Sequence, residues 1–221
     1  DDDSLRACAS DVLERWNIDA SHLDDACALV RGTLSAPLGG GTGIVLSKLA
    51  DSSVLKELEF YFPAAAIDAE GIKRIFGKYR SLFPNGEADS LSTLSFQEFS
   101  GFLKGFIDCM FEYEGRFYVV DWKSNRLGDA PESYGAESLG RAMDHHRYTL
   151  QGCIYALAAH EYLSNRIPDY SFDEVFGGVF YLFMRGVSPE HPDSGIWHFR
   201  PTEDFMNDLS AFFIRRAEVT A

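Results

Sequence analysis

Two aspartates and a lysine lie within a segment whose pattern is that of a β-hairpin. Between Leu103 and Lys123, two runs of aromatic and β-branched residues flank Glu114-Gly115, which is typical of two strands joined by a tight turn. If those two residues alone form the loop, counting outward along both strands places Asp108 directly opposite Asp121. Lys123 follows Asp121 by two residues and therefore points to the same face of the sheet.

Two carboxylates in these positions predict a bound cation. Directly opposed side chains on antiparallel strands have Cβ atoms about 5 Å apart, and like charges there are destabilising. Either one carboxylate is protonated or a cation lies between them. Clustered oxygen ligands are what Mg²⁺ requires, and a lysine beside the ion can stabilise a developing anion or orient and help to deprotonate a water. The pattern therefore predicts a metal-assisted phosphodiester hydrolase.

Two alternatives remain open for this acidic pair. A three-residue loop with a glycine bulge shifts the register by one residue and turns Asp121 to the opposite face. Acidic residues on the outer face of a hairpin are also commonly just solvated. The metal hypothesis therefore predicts the two-residue loop, or a compensating bulge near Asp121.

The segments around the hairpin predict an α/β fold. Apolar spacing and turn residues mark helices at Leu5–Trp16, from Ser21 to near Pro37, at Glu70–Leu82, from Ser138 to Asn165 and at Glu203–Ala217, strands at Leu55–Phe62 (ended by Pro63) and Gly177–Gly186, and a turn at Pro84-Asn85-Gly86-Glu87. The order strand, crossover helix, strand implies a mixed central sheet flanked by helices. Since no linker marks a boundary, residues 1–221 are predicted to form a single domain.

Two further patterns have a structural as well as a functional interpretation. Tyr148, Gln151 and Tyr155 share one face of the long predicted helix, but such a line is more typical of a helix edge that touches the core than of a site. The glycine-rich stretch from Gly39 to Gly43 superficially resembles a phosphate-binding loop. It lacks the Gly-Lys-Ser/Thr ending and a preceding strand, which favours a flexible connector.

Composition narrows the class of protein. Lys and Arg total 20 against 34 Asp and Glu, a formal net charge of -14, which argues against a nucleic-acid binder unless other parts of a larger assembly hold the polymer. The four cysteines form no C-x-x-C pair, so neither a zinc nor an iron–sulfur site is expected, and free thiols in a reducing, cytoplasmic compartment are the simplest interpretation. No run of 18 apolar residues predicts a membrane span. The start of the sequence at Asp1, without an initiator methionine, is expected of a fragment.

The ordered motifs resemble those of the PD-(D/E)xK nuclease superfamily and, within it, the family of RecB C-terminal nuclease domains. The resemblance is carried by Lys104-Gly105-Phe106-Ile107-Asp108, by Asp121-Trp122-Lys123-Ser124-Asn125, and by Tyr148, Gln151 and Tyr155. Further likeness lies in Leu58-Glu59-Phe60, His146-Arg147, Phe176-Gly177-Gly178, Tyr181–Gly186 and His191-Pro192. It extends over most of the chain, from about Leu29 to Phe205.

This resemblance implies roles for each motif residue. Asp108, Asp121 and the backbone carbonyl of Trp122 would bind Mg²⁺, for which Mn²⁺ or Ca²⁺ can substitute in binding, and Lys123 would assist the attacking water. Gln151 and Tyr155 would lie beside the site and help to position the DNA strand. No iron–sulfur cluster is implied.

The histidines depart from the family pattern. The family places a histidine metal ligand on a helix upstream of the first aspartate, and none of the six histidines here has that context; His22 is nearest but lacks the flanking residues. If the helix belongs to a preceding part of a longer chain, the fragment alone would bind metal weakly. His145 and His146 near a helix start are more typical of surface or capping residues than of ligands.

The resemblance implies a Mg²⁺-dependent exodeoxyribonuclease domain of a larger helicase–nuclease. It would hydrolyse phosphodiester bonds of DNA delivered by a helicase motor, in recombinational repair of double-strand breaks, with ATP dependence only in the full complex. The implied partners are DNA and subunits resembling RecC and RecD. One alternative is a nuclease-like scaffold that binds partner subunits and cuts nothing, since a fold alone does not prove activity. Another, a stand-alone nuclease with an iron–sulfur cluster, is disfavoured by the missing C-x-x-C.

Overall fold

The structure is a computed structural model that describes residues 1–39, 41–83, 91–192 and 194–214. Two features predicted from the sequence, the turn at Pro84-Asn85-Gly86-Glu87 and the end of the last helix up to Ala217, lie outside the described residues.

The described residues form a five-stranded mixed sheet in the spatial order β1-β2-β3-β4-β5. The strands are β1 (Val54–Ile67), β2 (Phe99–Tyr113), β3 (Arg116–Lys123), β4 (Phe176–Phe183) and β5 (Ile196–Phe199). Neighbouring strands are antiparallel except β3 and β4, which are parallel. A parallel pair needs a crossover connection, and helices between β3 and β4 provide it.

The helices in the described ranges are α1 (Asp2–Arg15), α2 (Leu23–Ser35), α3 (Ala69–Lys78), α4 (Ala136–His145), α5 (Tyr148–Ser164), α6 (Phe172–Val175) and α7 (Glu203–Phe213). Helix α5 carries apolar residues on all sides and packs against β3 and β4, as a buried helix does. None of the helices in these ranges has the length and apolar character that crossing a bilayer requires.

The core divides into two apolar clusters on opposite faces of the sheet. The larger cluster packs α3, α4, α5 and α7 against one face. The smaller cluster lies on the other face, where the connection between α2 and β1 contributes Leu38, Ile44 and Leu46 against Phe111 and Val120. Strand β4 is buried along its whole length, as predicted. The α/β class and the mixed sheet flanked by helices are confirmed, in agreement with a PD-(D/E)xK-like fold; that residues 1–221 form a single domain stays a prediction.

Three predicted boundaries are wrong. Strand β1 does not end at Pro63 but continues to Ile67, because β1 is an edge strand, where a residue without an N–H is tolerated. The single helix predicted up to Asn165 is two helices, broken where Arg147 adopts a left-handed conformation (φ 56°). Helix α3 ends at Lys78 rather than Leu82, and a 3-10 turn follows it.

Candidate active site

The hairpin that carries both aspartates has the two-residue loop that the metal hypothesis requires. Tyr113 is the partner of Arg116, so only Glu114 and Gly115 lie between the strands. Both loop residues have positive φ, 50° and 77°, which is the conformation that a type I′ hairpin turn needs. The N–H of Gly115 also donates to Glu112 Oε1 at 2.8 Å. The alternative with a three-residue loop and a shifted register is therefore wrong.

Asp108 lies where the pairing of β2 with β3 ends. The last recorded partners are Cys109 and Val120, so Asp108 and Asp121 are the next residues on their strands. The N–H of Trp122 donates to Asp108 Oδ2 at 3.0 Å. The Asp108 side chain thus accepts a hydrogen bond from the neighbouring strand just beyond the last paired residues.

Asp121 is buried, with only 3% of its surface exposed. Burial raises the pKa of its carboxyl to about 6; the Lys123 ammonium opposes this rise and the Asp108 charge adds to it. A merely solvated acid would not be in this environment. The outer-face interpretation of the acidic pair therefore does not hold for Asp121.

Lys123 is held by three different groups. Its Nζ lies 2.6 Å from Asp121 Oδ2, donates to Gln151 Oε1 at 3.0 Å, and lies 3.8 Å from the centre of the Tyr148 ring. The contact with Asp121 is an ion pair rather than an aligned hydrogen bond, and among the described residues no donor is aligned on the buried Oδ2. This oxygen retains capacity for a further ligand.

Helix α5 presents the three predicted polar residues to this ion pair. Gln151 Nε2 donates to the Tyr155 hydroxyl at 2.9 Å, while Gln151 Oε1 accepts from Lys123 and from the Tyr181 hydroxyl at 3.2 Å. Burial raises the pKa of Tyr155 to about 12, and the nearby aspartate charges add to the rise, so its hydroxyl stays protonated. The sequence interpretation of this helix face as a mere core edge is therefore incomplete.

Gly152, which has no side chain, allows α5 to approach β4 closely. A Cβ at Gly152 would lie 3.1 Å from the Tyr181 ring, so glycine lets the helix pack closely on β4. This packing brings Gln151 within reach of Lys123.

A cleft of about 450 Å³ opens beside Asp108, and Asp108, Trp122 and Cys109 contribute to its lining, whereas Asp121 does not. The structure gives the Trp122 backbone N–H a role in holding Asp108. The role of the Trp122 carbonyl as a metal ligand stays a prediction.

Glu57 also lines this cleft, and the sequence interpretation missed it. Its neighbours Lys56 and Leu58 are partners of Cys109 and Ile107, so Glu57 lies across from Asp108 on the adjacent strand. Glu57 has φ 51°, a conformation that costs a non-glycine residue about 1–3 kcal/mol and that is enriched at functional sites. In the sequence, Glu57 and Glu59 alternate with apolar residues, as the outward-facing residues of a half-buried strand do. No residue type near Glu57 indicates that its backbone is left-handed.

Other potential metal ligands are not gathered at this site. In the residue ranges that the structure describes, no three His, Cys, Asp or Glu residues form a group that could hold a metal ion. His146 is exposed, forms the C-cap of α4 and lies 3.2 Å from Asn125 Nδ2 through its Nε2 atom. His22 is the N-cap residue of α2. The prediction of a surface or capping role is thus confirmed for His146.

Comparisons with known proteins agree with the motifs. The chain is 41% identical over 185 residues to RecBCD enzyme subunit RecB of Escherichia coli (strain K12), covering 83% of this chain and 15% of that protein. It is 36% identical over 205 residues to the same subunit of Haemophilus influenzae, covering 92% of this chain and 15% of that protein, and 33% identical over 220 residues to that of Mycobacterium tuberculosis, covering 88% and 20%.

No family model matches the chain. The chain spans about 15% to 20% of the length of these curated relatives. On the strength of these similarities, together with the hairpin geometry described above, the chain belongs to the RecB family.

Proposed function

We propose that this chain is a Mg²⁺-dependent nuclease domain that hydrolyses phosphodiester bonds of DNA. The observation that carries the proposal is the buried Asp121, which contacts the Lys123 ammonium. Asp121 and Asp108 are the next residues on their strands beyond the last pair, Cys109 and Val120. Burying a carboxylate beside an ammonium is costly, and carboxylates with a pKa shifted by such burial cluster at functional sites.

The residues present fit a hard divalent cation. Asp108 and Asp121 offer carboxylate oxygens, and the buried Asp121 Oδ2 has no donor aligned on it among the described residues. These oxygens, with the Trp122 carbonyl, would hold Mg²⁺, and Mn²⁺ or Ca²⁺ could replace it in binding. When bound, the ion would supply neutralisation of phosphate charge and a lowered pKa of bound water.

The side chains around the carboxylates orient the reacting groups. Lys123 is fixed by Gln151 and by the Tyr148 ring, so its ammonium stays beside the carboxylates, where it can orient an attacking water and stabilise developing negative charge. The Gln151 amide is in turn fixed by its bond to Tyr155. Gln151 and Tyr155 thereby lie beside the ion pair, where we propose that they help to position the DNA strand.

The relatives' name, RecBCD enzyme subunit RecB, supports a place in a larger assembly. We infer that the domain acts as an exodeoxyribonuclease on strands delivered by a helicase motor, in recombinational repair of double-strand breaks, with partners resembling RecC and RecD. ATP dependence would arise only in that full complex. The net charge of -14 agrees with a place in such an assembly, because other parts of the assembly would supply most of the contacts that bind DNA.

A second candidate is a nuclease-like scaffold that binds partner subunits without cutting. It is favoured by one observation, that the described residues do not gather a third acid or histidine at the carboxylate pair. Against it, Asp121, Lys123, Gln151 and Tyr155 are joined by direct contacts that a scaffold does not need.

The two candidates differ in the effect of Asp108→Ala and Lys123→Ala, each made in the full-length protein assembled with its partner subunits. Cleavage of linear DNA in Mg²⁺ should be abolished in both variants, while DNA-dependent ATP hydrolysis and the folded structure, checked by circular dichroism, are retained. Asp11→Ala and Lys48→Ala, which change exposed residues of the same types, are matched controls and should cleave as wild type. Undiminished cleavage by the Asp108 or Lys123 variant would refute the proposal.

A further inference from the structure

The Tyr148 ring contacts the Lys123 ammonium and is itself held in a stack of rings. Lys123 Nζ lies 3.8 Å from the centre of the Tyr148 ring and 5.1 Å from that of Tyr181. The two tyrosine rings are nearly parallel, with centroids 5.7 Å apart and planes inclined by 18°. The exposed His146 ring also stacks on Tyr148, with centroids 5.0 Å apart and planes inclined by 20°.

Asn125 joins the His146 and Tyr148 side chains. The Tyr148 hydroxyl donates to Asn125 Oδ1 at 3.3 Å, and Asn125 Nδ2 donates to His146 Nε2 at 3.2 Å. Asn125 follows Lys123 by two residues on the chain. Asn125, His146 and Tyr148, which we call the Tyr148 network, thus connect the segment after β3 back to the Lys123 ammonium.

The stack of His146 on Tyr148 depends on the break between α4 and α5. Residues two positions apart on a continuous helix do not face each other. Arg147, between the two stacked residues, has φ 56°, a left-handed conformation that is strained for a residue with a side chain and is enriched at functional sites. The break in the helix is therefore what allows His146 to lie on the Tyr148 ring.

Lys123 has reason to need this support. Its ammonium is carried on a flexible four-carbon stem. Asp121 and Gln151 contact the ammonium through oxygen atoms, and the Tyr148 ring adds a cation–π contact at short range. Because a misplacement of about 1 Å can lower a reaction rate about 100-fold, a looser Tyr148 ring should affect the reaction.

We propose that Asn125 and His146 are positioning residues, which hold the Tyr148 ring against the Lys123 ammonium and thereby orient the ammonium for cleavage. The inference rests on the proposed nuclease function and adds to it two residues that act through Tyr148. Both act on the position of Lys123 rather than on DNA. The rate of cleavage should therefore depend on them, and the affinity for DNA should not.

Nuclear magnetic resonance measures the position of the ammonium without any cleavage. The chain has six lysines, so labelling with ¹³C at the lysine Cε atoms gives few signals, and the Lys123 signal is the one missing from Lys123→Arg. An aromatic ring shields protons that lie over its face, so the Lys123 signal should be displaced upfield. In Asn125→Ala/His146→Ala most of this displacement should be lost, with Tyr148→Leu as the reference without the ring.

The matched control is His22→Ala/Asn207→Ala, which changes exposed residues of the same two types at the start of α2 and on α7. It should retain the displaced Lys123 signal. Circular dichroism and the unchanged signals of the remaining lysines check that Asn125→Ala/His146→Ala folds, which is expected because neither residue is buried.

The consequence for the reaction is measured with the full-length protein assembled with its partner subunits. For cleavage of linear DNA in Mg²⁺, Asn125→Ala/His146→Ala should have a kcat about tenfold or more below that of the wild type. The KM for DNA and DNA-dependent ATP hydrolysis should be unchanged. If the two residues only stabilised the fold, kcat of the folded variant would stay at the wild-type value.

The two measurements separate the Tyr148 network from the nuclease proposal. A wild type whose Lys123 signal is not displaced, or a double variant that keeps the displacement, would overturn the inference. So would a double variant that loses the displacement and keeps the wild-type kcat, or one that changes only KM. Undiminished cleavage by Lys123→Ala would instead refute the proposed nuclease function, while the lysine signal would still judge whether Asn125 and His146 hold the ring.

Discussion

Asp121→Asn should stabilise the metal-free protein although it removes half of an ion pair. The pKa of Asp121 is raised from its ordinary 3.8 to about 6, chiefly by burial, even with the Lys123 ammonium 2.6 Å away. Each pKa unit corresponds to about 1.4 kcal/mol, so ionised Asp121 lowers the free energy of unfolding by about 3 kcal/mol at neutral pH. Asparagine has nearly the same shape without the charge, and it should recover up to about that amount.

The opposite change, Lys123→Gln, should destabilise the protein. It leaves the buried Asp121 carboxylate without its cation and removes the contact with the Tyr148 ring. We expect a loss of about 3 kcal/mol, the lower end of the range for breaking a buried pair, because Asp121 can take up a proton. Two substitutions in one ion pair would thus shift stability in opposite directions while both abolish cleavage.

Urea unfolding in EDTA at several pH values measures these effects. Because the pKa of Asp121 is higher in the folded state, the advantage of Asp121→Asn should be full above pH 6 and shrink as the pH falls towards 4. Asp11→Asn, at an exposed position of α1, should show no such pH-dependent gain. A lower unfolding free energy for Asp121→Asn than for wild type at pH 7.5 would refute the reasoning.

Three other substitutions test separate parts of the account. Glu57→Gly should raise the free energy of unfolding in urea by about 0.5–1 kcal/mol, since glycine accepts φ 51° without strain, and it should reduce Mg²⁺-dependent cleavage. A lower free energy of unfolding would contradict the strain, and full cleavage activity would contradict a role for this carboxylate. Tyr155→Phe removes the acceptor of the Gln151 amide and should slow cleavage by between about 10- and 100-fold with a stability loss near 1 kcal/mol, measured by steady-state kinetics and urea unfolding. Burial lowers the pKa of His160, so the folded state loses stability as the pH falls below 6.5, by at most about 1.4 kcal/mol per pH unit; His160→Gln should show a shallower loss between pH 7 and 5, and an unchanged slope would contradict this cause.

The hairpin could be predicted in detail because its turn has local chemistry. Positive φ at Glu114 and Gly115 restricts the loop to a few residue types, and the register then follows for every residue along both strands. This is why the positions of Asp108 and Asp121 relative to each other were predictable without knowledge of the remaining fold.

Features that depend on tertiary packing could not be predicted in the same way. Whether Pro63 ends a strand depends on whether that strand lies at the sheet edge, which the local sequence does not show. The break at Arg147 interrupts a segment of helix-forming residues at a position without glycine or proline. Glu57 adopts a left-handed conformation inside a strand, and only the cleft across from Asp108 gives that conformation a meaning.

The candidate site itself was predictable in its residues but not in its contacts. Asp108, Asp121 and Lys123 followed from hairpin geometry, whereas the bond between Lys123 and Gln151 requires that α5 pack closely on β4. The order of motifs on the chain predicted Gln151 and Tyr155 through family resemblance alone.

The central claim is that Asp108 and Asp121 together bind a divalent cation. Anomalous diffraction from crystals of this chain soaked in Mn²⁺, with Asp108→Asn crystals as the control, locates the ion directly. We expect an anomalous peak between the two carboxylates of the wild type and none at that position in the control. A wild-type crystal in which Mn²⁺ binds only elsewhere, or an unchanged peak in Asp108→Asn, would contradict the account.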